Sequence, residues 1–275
     1  MNVLSLFDGL SGGMIALERA SIKVDNYFAS EIDKYAIKIS QHNYPNIVQL
    51  GDVTEWREWE LPEIDLILAG SPCQGFSFAG KQLNFDDPRS KLFFEFADIL
   101  EHYKPKYFML ENVKMKKESE QVITERLGVE PIEINSALVS AQNRKRLYWT
   151  NIPNIKQPED KVIFINDFIS DGHLAAIRGR YLDDKKTAQF IEYRKDKKTN
   201  TLTTVKKDNV VAEKYIEGKV LASNVKYRYL SAEEYEILQN LPIGYTSCVP
   251  ETQRYKAIGN GWTIDVIAHI LGGLK

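Results

Sequence analysis

Apolar residues recur along the first half of the chain in short runs, separated by helix-spaced patterns. Val3–Phe7 is such a run and predicts a strand. Met14, Ile15 and Leu17 predict a helix over Met14–Arg19. Tyr27–Ser30 and Ile47–Leu50 predict a second and a third strand, with a helix over Lys34–Ser40 between them. Ile64–Ala69 (IDLILA) reads as a strand apolar enough to be buried on both faces. Leu92, Phe93, Phe96, Ile99 and Leu100 form one stripe of a helix over Leu92–Tyr103, and Tyr107–Leu110 predicts a further strand. Strand, helix, strand at this spacing predicts an α/β fold with a doubly wound, mostly parallel sheet covered on both sides.

The pattern loosens beyond residue 150. Residues 151–226 have fewer long apolar runs, more charge, and lysines clustered around Lys185, Lys197 and Lys206. Helical patterning returns from Tyr229: Ser231 reads as an N-cap for Ala232–Gln239, ended by Leu241-Pro242. A last helix covers Thr263–Leu271. The chain therefore divides into a body over 1–150, a smaller region over 151–226, and a C-terminal segment over 227–275 that returns to the body.

Composition narrows the class. The 275 residues are 43% hydrophobic with a net charge of −2, an ordinary globular balance. No apolar run approaches the roughly 20 residues of a membrane span. The start, MNVLSLFDGL, has neither a basic leader nor a small-residue cleavage site, so a cytoplasmic location is expected. Two cysteines exclude a disulfide scaffold, and with four histidines they leave little for a metal, so none is expected. The net charge hides an asymmetry: residues 171–230 carry +6 and the remainder −8. A basic segment on an acidic body suits a polyanion, although a solvated polar face has the same composition.

Five segments carry candidate chemistry. Phe7-Asp8-Gly9-Leu10-Ser11-Gly12-Gly13 leaves a strand and starts a helix, where small residues let a ligand approach the backbone. Glu31 and Asp52 follow the second and third strands, and Glu31 stands where doubly wound folds hold ribose hydroxyls. Ser71-Pro72-Cys73-Gln74-Gly75-Phe76-Ser77 follows the most apolar strand. A cysteine beyond a strand's carboxyl end is placed for chemistry rather than packing; Cys248 lacks such a context and receives no role. Glu111-Asn112-Val113 ends the next strand and offers a carboxylate to that cysteine. In Gln142-Asn143-Arg144-Lys145-Arg146 alternate residues share a face if the segment is extended, so Gln142, Arg144 and Arg146 can point together. Ile258-Gly259-Asn260-Gly261-Trp262 leads into the last helix, whose apolar face fits the first strand–helix unit.

In this order, FDGLSGG, SPCQGFS, GKQLNFDDPRSKLFFEFADIL, ENV, QNRKR, YLSAEEYEILQNLP and GNGW resemble the cytosine-C5 DNA methyltransferase family, over nearly the whole chain except about 151–226. The turn departs from the usual FxGxGG because Ser11 replaces a glycine. LFDG and GNGWTIDVIAHI are more similar to animal de novo enzymes, and PCQGFS to bacterial and phage ones. The resemblance implies a Rossmann-like methyltransferase fold and methyl transfer from S-adenosyl-L-methionine to C5 of a flipped cytosine in double-stranded DNA. It implies that Cys73 attacks C6, that Glu111 holds or protonates N3, that Arg146 holds O2, and that Arg144 positions the site. Phe7, Asp8, Gly9, Glu31, Ile32, Asp52, Val53, Pro72, Leu92, Asn260 and Trp262 would hold the cofactor. Gln74, Ser77, Lys81 and Arg89, in a loop expected to close on DNA, would contact DNA. So would Arg178, Arg180 and Arg194 in a small target-recognition region over 151–226. A cognate restriction enzyme is a functional partner on this reading, as an alternative to a phage or orphan role. A tRNA cytosine-C5 methyltransferase is a competing reading, although the Cys-Phe-Thr tripeptide usual there is missing. So are an inactive DNA-binding relative, although Cys73, Glu111 and Arg146 are all present, and an unrelated nucleotide-dependent α/β enzyme.

Overall fold

The structure, a computed structural model, describes residues 1–71, 92–183, 186–204, 206–218 and 220–275. Two compact units divide them. The first comprises Met1–Ile134, Lys145–Pro158 and Ile264–Lys275; the second comprises Asn135–Arg144 and Glu159–Thr263.

The first unit is built on β1 (Asn2–Leu6), β2 (Asn26–Ser30), β3 (Val48–Gln49), β4 (Leu66–Gly70), β5 (Tyr107–Val113), β6 (Ile132–Asn135) and β7 (Lys145–Thr150). Their order is β3-β2-β1-β4-β5-β7-β6. β2 and β4 both pair with β1 in parallel, β5 continues in parallel, and β7 runs antiparallel to β5. The sheet is thus mostly parallel and doubly wound, as the alternation of apolar runs predicts. Leu66–Ala69 is buried at every position, the mark of a strand covered on both faces.

The α-helices among the described residues are α1 (Gly12–Arg19), α2 (Lys34–Asn43), α3 (Leu92–Tyr103), α4 (Lys117–Leu127), α5 (Ala232–Leu238), α6 (Glu251–Asn260) and α7 (Ile264–Leu271). α2 starts where Asp33 accepts hydrogen bonds from the Tyr35 and Ala36 amides, and it buries Ala36, Ile39 and Ser40 at helical spacing. α3 buries Phe93, Phe96, Ala97 and Ile99, and each phenylalanine contributes about 1.5–3 kcal/mol of burial. α7 packs on α1, and Arg19 meets Asp265 at 2.5 Å.

The second unit holds β8 (His173–Asp183), β9 (Lys186–Tyr193), β10 (Val210–Ala212), β11 (Val220–Leu221) and β12 (Tyr227–Tyr229). They form an antiparallel sheet in the order β11-β9-β8-β10-β12 around Ala175, Ile177, Ile191, Val210 and Ala212. The apolar pattern predicts no sheet here. α5 starts in a capping box: Ser231 Oγ accepts from the Glu234 amide, and Glu234 accepts from the Ser231 amide.

Two expectations change. Residues 227–263 belong to the second unit, and only Ile264–Lys275 returns to the first. Ile258–Asn260, read as leading into the last helix, does precede it but closes a helix of its own, α6, that the pattern does not predict. Buried side chains account for the altered boundary. Gln142 Nε2 donates to the Leu238 carbonyl and to Gln239 Oε1, both at 3.1 Å, which ties 135–144 to the end of α5.

Candidate active site

Ligands of doubly wound sheets lie beyond the strands' carboxyl ends, where strand order reverses. Here that point is β1, flanked by β2 and β4. The turn after β1 is held by backbone bonds from Asp8 N to Ser30 O (3.0 Å) and from Ser11 N to Asp8 O (3.2 Å). Glu31, just past β2, accepts from the amides of Gly9, Ile32 and Asp33, each at 2.8 Å. A carboxylate has about four lone-pair sites, so one remains for a ligand donor such as a ribose hydroxyl. Gly9 has φ +61°, which glycine adopts without steric cost.

Apolar surface borders this turn. Phe7, Leu50 and Leu92 are partly buried and pack against the cluster that contains Val53 and Trp56. Ile32 is 73% exposed and offers an apolar wall for a flat ring. Asp52 caps the short helix Val53–Glu58 by accepting from Thr54 N and Oγ1, both at 2.9 Å. The structure therefore gathers Phe7, Gly9, Glu31 and Ile32 at one turn, with Val53 and Leu92 in or against the apolar cluster that Phe7 joins. Asp8 is different: its buried carboxylate takes hydrogen bonds from Ser11 and Tyr27, and burial pushes its pKa above the ordinary carboxylate value.

The second group lies at the ends of β4 and β5. Parallel register sets Gly70 beside Glu111. In the antiparallel β5–β7 pair Glu111 faces Tyr148 and Val113 faces Arg146, so Arg146 is Glu111's diagonal neighbour on one face. Arg146 Nε meets Glu111 Oε1 at 2.9 Å, with both side chains largely buried. A charge-assisted pair of this kind presents an acceptor and several donors in fixed positions, which suits the edge of a heterocyclic base. Asn112, also buried, donates from Nδ2 to Ser71 Oγ (3.0 Å), while its Oδ1 accepts from the Val113 amide (2.8 Å). It thereby ties the strand carrying Glu111 to the residue that precedes Pro72-Cys73. The sequence reading assigns nothing to Ser71, because a serine beside a proline has no distinctive pattern. Pro72, Cys73, Gln74, Ser77, Lys81 and Arg89 lie outside the described residues.

The other expected residues belong to the second unit. Arg144 is 4% exposed. Its guanidinium donates to the carbonyls of Leu202 (3.3 Å), Gly259 (3.4 Å) and Gly261 (3.0 Å). Gln142 Oε1 accepts from the Leu202 amide at 2.9 Å. Gln142 and Arg144 thus share a neighbourhood, whereas Arg146 pairs with Glu111 in the first unit, so the expected common face is split. Asn260 is exposed at the end of α6, and Trp262 is buried. Gly259 is needed sterically, because a Cβ there would lie 2.8 Å from the Thr203 carbonyl carbon. Arg178 pairs with Asp208, Arg180 with Glu192 at 2.6 Å, and Arg194 with Asp196 at 2.6 Å.

Among the described residues no group of three or more His, Cys, Asp or Glu side chains is placed to hold a metal ion. Nor is any helix there long and apolar enough to cross a membrane.

A tight turn, a carboxylate with a spare acceptor and an ion pair, all at strand ends of a doubly wound sheet, define a Rossmann-like, cofactor-dependent α/β enzyme. The family model for C-5 cytosine-specific DNA methylase matches residues 1–204. Type II methyltransferase M1.ScrFI of Lactococcus lactis subsp. cremoris is 33% identical over 306 aligned positions, covering 96% of this chain and 75% of that protein. Type II methyltransferase M.NgoBV of Neisseria gonorrhoeae is 41% identical over 169, covering 54% and 40%. The Entamoeba histolytica methyltransferase EhMeth shares the fold, with a TM-score of 0.73, 19% identity, and coverage of 100% of this chain and 99% of that one. The chain belongs to the C-5 cytosine-specific DNA methylase family: it is a DNA (cytosine-5-)-methyltransferase that uses S-adenosyl-L-methionine.

Proposed function

We propose that the chain methylates a flipped cytosine within a short sequence of double-stranded DNA through a transient Cys73–C6 bond. The observation that carries this reading is the Glu111–Arg146 pair at 2.9 Å beside the end of β4. C5 of cytosine is a weak nucleophile. Addition of the Cys73 thiolate to C6 breaks the ring's aromaticity and makes C5 enamine-like. Glu111 holds or protonates N3 as charge builds there, and Arg146 donates to O2. Loss of the C5 proton and expulsion of the thiolate restore the ring and free Cys73. S-Adenosyl-L-methionine supplies the methyl group.

On this reading Phe7 and Ile32 flank the adenine, and Glu31 takes a ribose hydroxyl on its spare lone pair. The target atom is hidden in a duplex, so the base must leave the stack. Gln74, Ser77, Lys81 and Arg89 would meet DNA around the flipped base, and the second unit would read the flanking sequence. Such an enzyme works in the cytoplasm, as the functional counterpart of a cognate restriction enzyme, for a phage, or alone as an orphan.

Expression in a host without cytosine methylation, followed by bisulfite sequencing, tests the reading. Wild type should protect cytosines in one short context, and Cys73→Ser should protect none. Protection by neither would remove the DNA assignment and direct attention to a tRNA acceptor. Protection by both would remove Cys73 as the nucleophile.

A further inference from the structure

The turn after β1 contains three left-handed residues: Phe7 (φ +56°), Gly9 (φ +61°) and Ser11 (φ +59°). A residue with a side chain is disfavoured there, and such strain persists only where the surroundings hold it. Ser11 is also the position where FDGLSGG departs from FxGxGG, so a conformation that glycine would supply freely is imposed on a serine.

A buried chain of polar groups surrounds it. Ser11 Oγ donates to Asp8 Oδ2 at 2.5 Å and lies 2.6 Å from Ser40 Oγ. Gln49 Nε2 donates to Ser40 Oγ at 3.2 Å, and Tyr27 OH donates to Asp8 Oδ1 at 2.8 Å. Read as Gln49 to Ser40 to Ser11 to Asp8, each hydroxyl accepts one hydrogen bond and donates one, and the series ends on a carboxylate. Ser11, Ser40 and Asp8 are all buried, so water does not compete for them.

We propose that Asp8 is a positioning residue: it accepts directly from the Ser11 hydroxyl, which Ser40 meets from the other side, and so locks Ser11 in the left-handed conformation and presets the Phe7–Gly9 backbone for the cofactor. The relay stands in for the missing glycine. This rests on the reading that the turn binds S-adenosyl-L-methionine, and it replaces direct contact between the Asp8 carboxylate and the cofactor.

The test measures the S-adenosyl-L-methionine Kd of the full chain by titration, together with KM and kcat on DNA. Ser11→Ala should raise Kd about tenfold, because the strained conformation loses its hydrogen bond. At saturating cofactor its kcat should stay within about twofold, as expected for lost uniform binding. Ser11→Gly should regain most of the affinity, since glycine needs no relay. Asp8→Asn should weaken binding about tenfold alone and far less in the Ser11→Gly background. The relay is overturned if Ser11→Ala binds like wild type, if Ser11→Gly is as weak as Ser11→Ala, or if Asp8→Asn is equally harmful in both backgrounds. Glu31→Ala separates the two levels. If it weakens binding while Ser11→Ala does not, only the relay fails. If neither it nor any Ser11 variant changes Kd, the turn is not the cofactor site and both readings fall.

Discussion

Arg146 and Arg144 stand two residues apart, yet they serve different regions of the molecule. In the first unit Arg146 pairs with Glu111 at the end of a buried strand. In the second, Arg144 is spent on three backbone carbonyls. Pairing itself is common to both units, since Arg19 and Arg126 in the first also meet carboxylates. Beyond such pairs the first unit keeps an acceptor on Glu31 uncommitted and leaves Ile32 open; in the second, Arg178, Arg180 and Arg194 each meet a carboxylate. Charge counted along a chain thus says little about which cations a ligand finds ready. Burial and pairing decide that.

The largest test of the contrast is at the two arginines. Glu111→Gln or Arg146→Ala should lower single-turnover methylation by about 10²–10⁴, the range of positioned acid–base groups, and should also lower the melting temperature, because each leaves one member of a largely buried pair without its partner. Arg144→Met should cost stability while sparing the rate. It leaves buried carbonyls without donors, at about 1–3 kcal/mol for such a loss, so thermal unfolding should shift down markedly. Well below that transition its methylation rate should stay much closer to wild type than that of Arg146→Ala. Equal rate losses from both arginines, with stability unchanged, would erase the distinction. Asn112→Ala is intermediate: it cuts the link to Ser71 and should reduce both rate and stability, by about 1 kcal/mol in unfolding free energy.

These same residues show what a sequence can and cannot display. β4 was legible because a parallel strand covered on both faces is a continuous apolar run, and Glu111 because it ends the next one. α5 was legible from Ser231, whose capping box is a local signal. β8 was not. Ala175 and Ala176 are both buried, so burial does not alternate along it, and small residues give its covered faces little hydropathy. α6 was missed because its sequence, ETQRYKAIGN, is mostly polar and buries only Tyr255, Ile258 and Gly259. The splitting of Gln142 and Arg144 from Arg146 depends on long-range packing that no spacing of residues encodes.

Salt dependence sharpens the comparison further. A phosphate contact by an arginine already held by a carboxylate is an exchange, so part of the gain is returned when the carboxylate is released. Arg180→Ala should weaken DNA binding modestly, and change the slope of log K against log salt by less than the roughly 0.9 expected per phosphate contact. A full-sized change would mean that the Glu192 pairing gives way to DNA at no cost.

The smallest effect is expected at the edge of the second unit's sheet. Arg228 in β12 donates to Asp171 Oδ1 and Oδ2, both at 2.7 Å, and also to Glu234 at 2.8 Å. The guanidinium holds the Asp171 carboxyl below its ordinary value. A depressed folded-state pKa means stability that is present above the unfolded value of about 3.9 and lost as pH falls through the folded one. Both partners are well exposed, so Asp171→Asn should cost less than about 1 kcal/mol at neutral pH. Glu234 still pairs Arg228 in that variant, which keeps the loss small. The gap between wild type and variant in urea unfolding should close on acidification below the ordinary aspartate range. A gap that persisted there would show that Asp171 acts through its shape and hydrogen bonds rather than its charge.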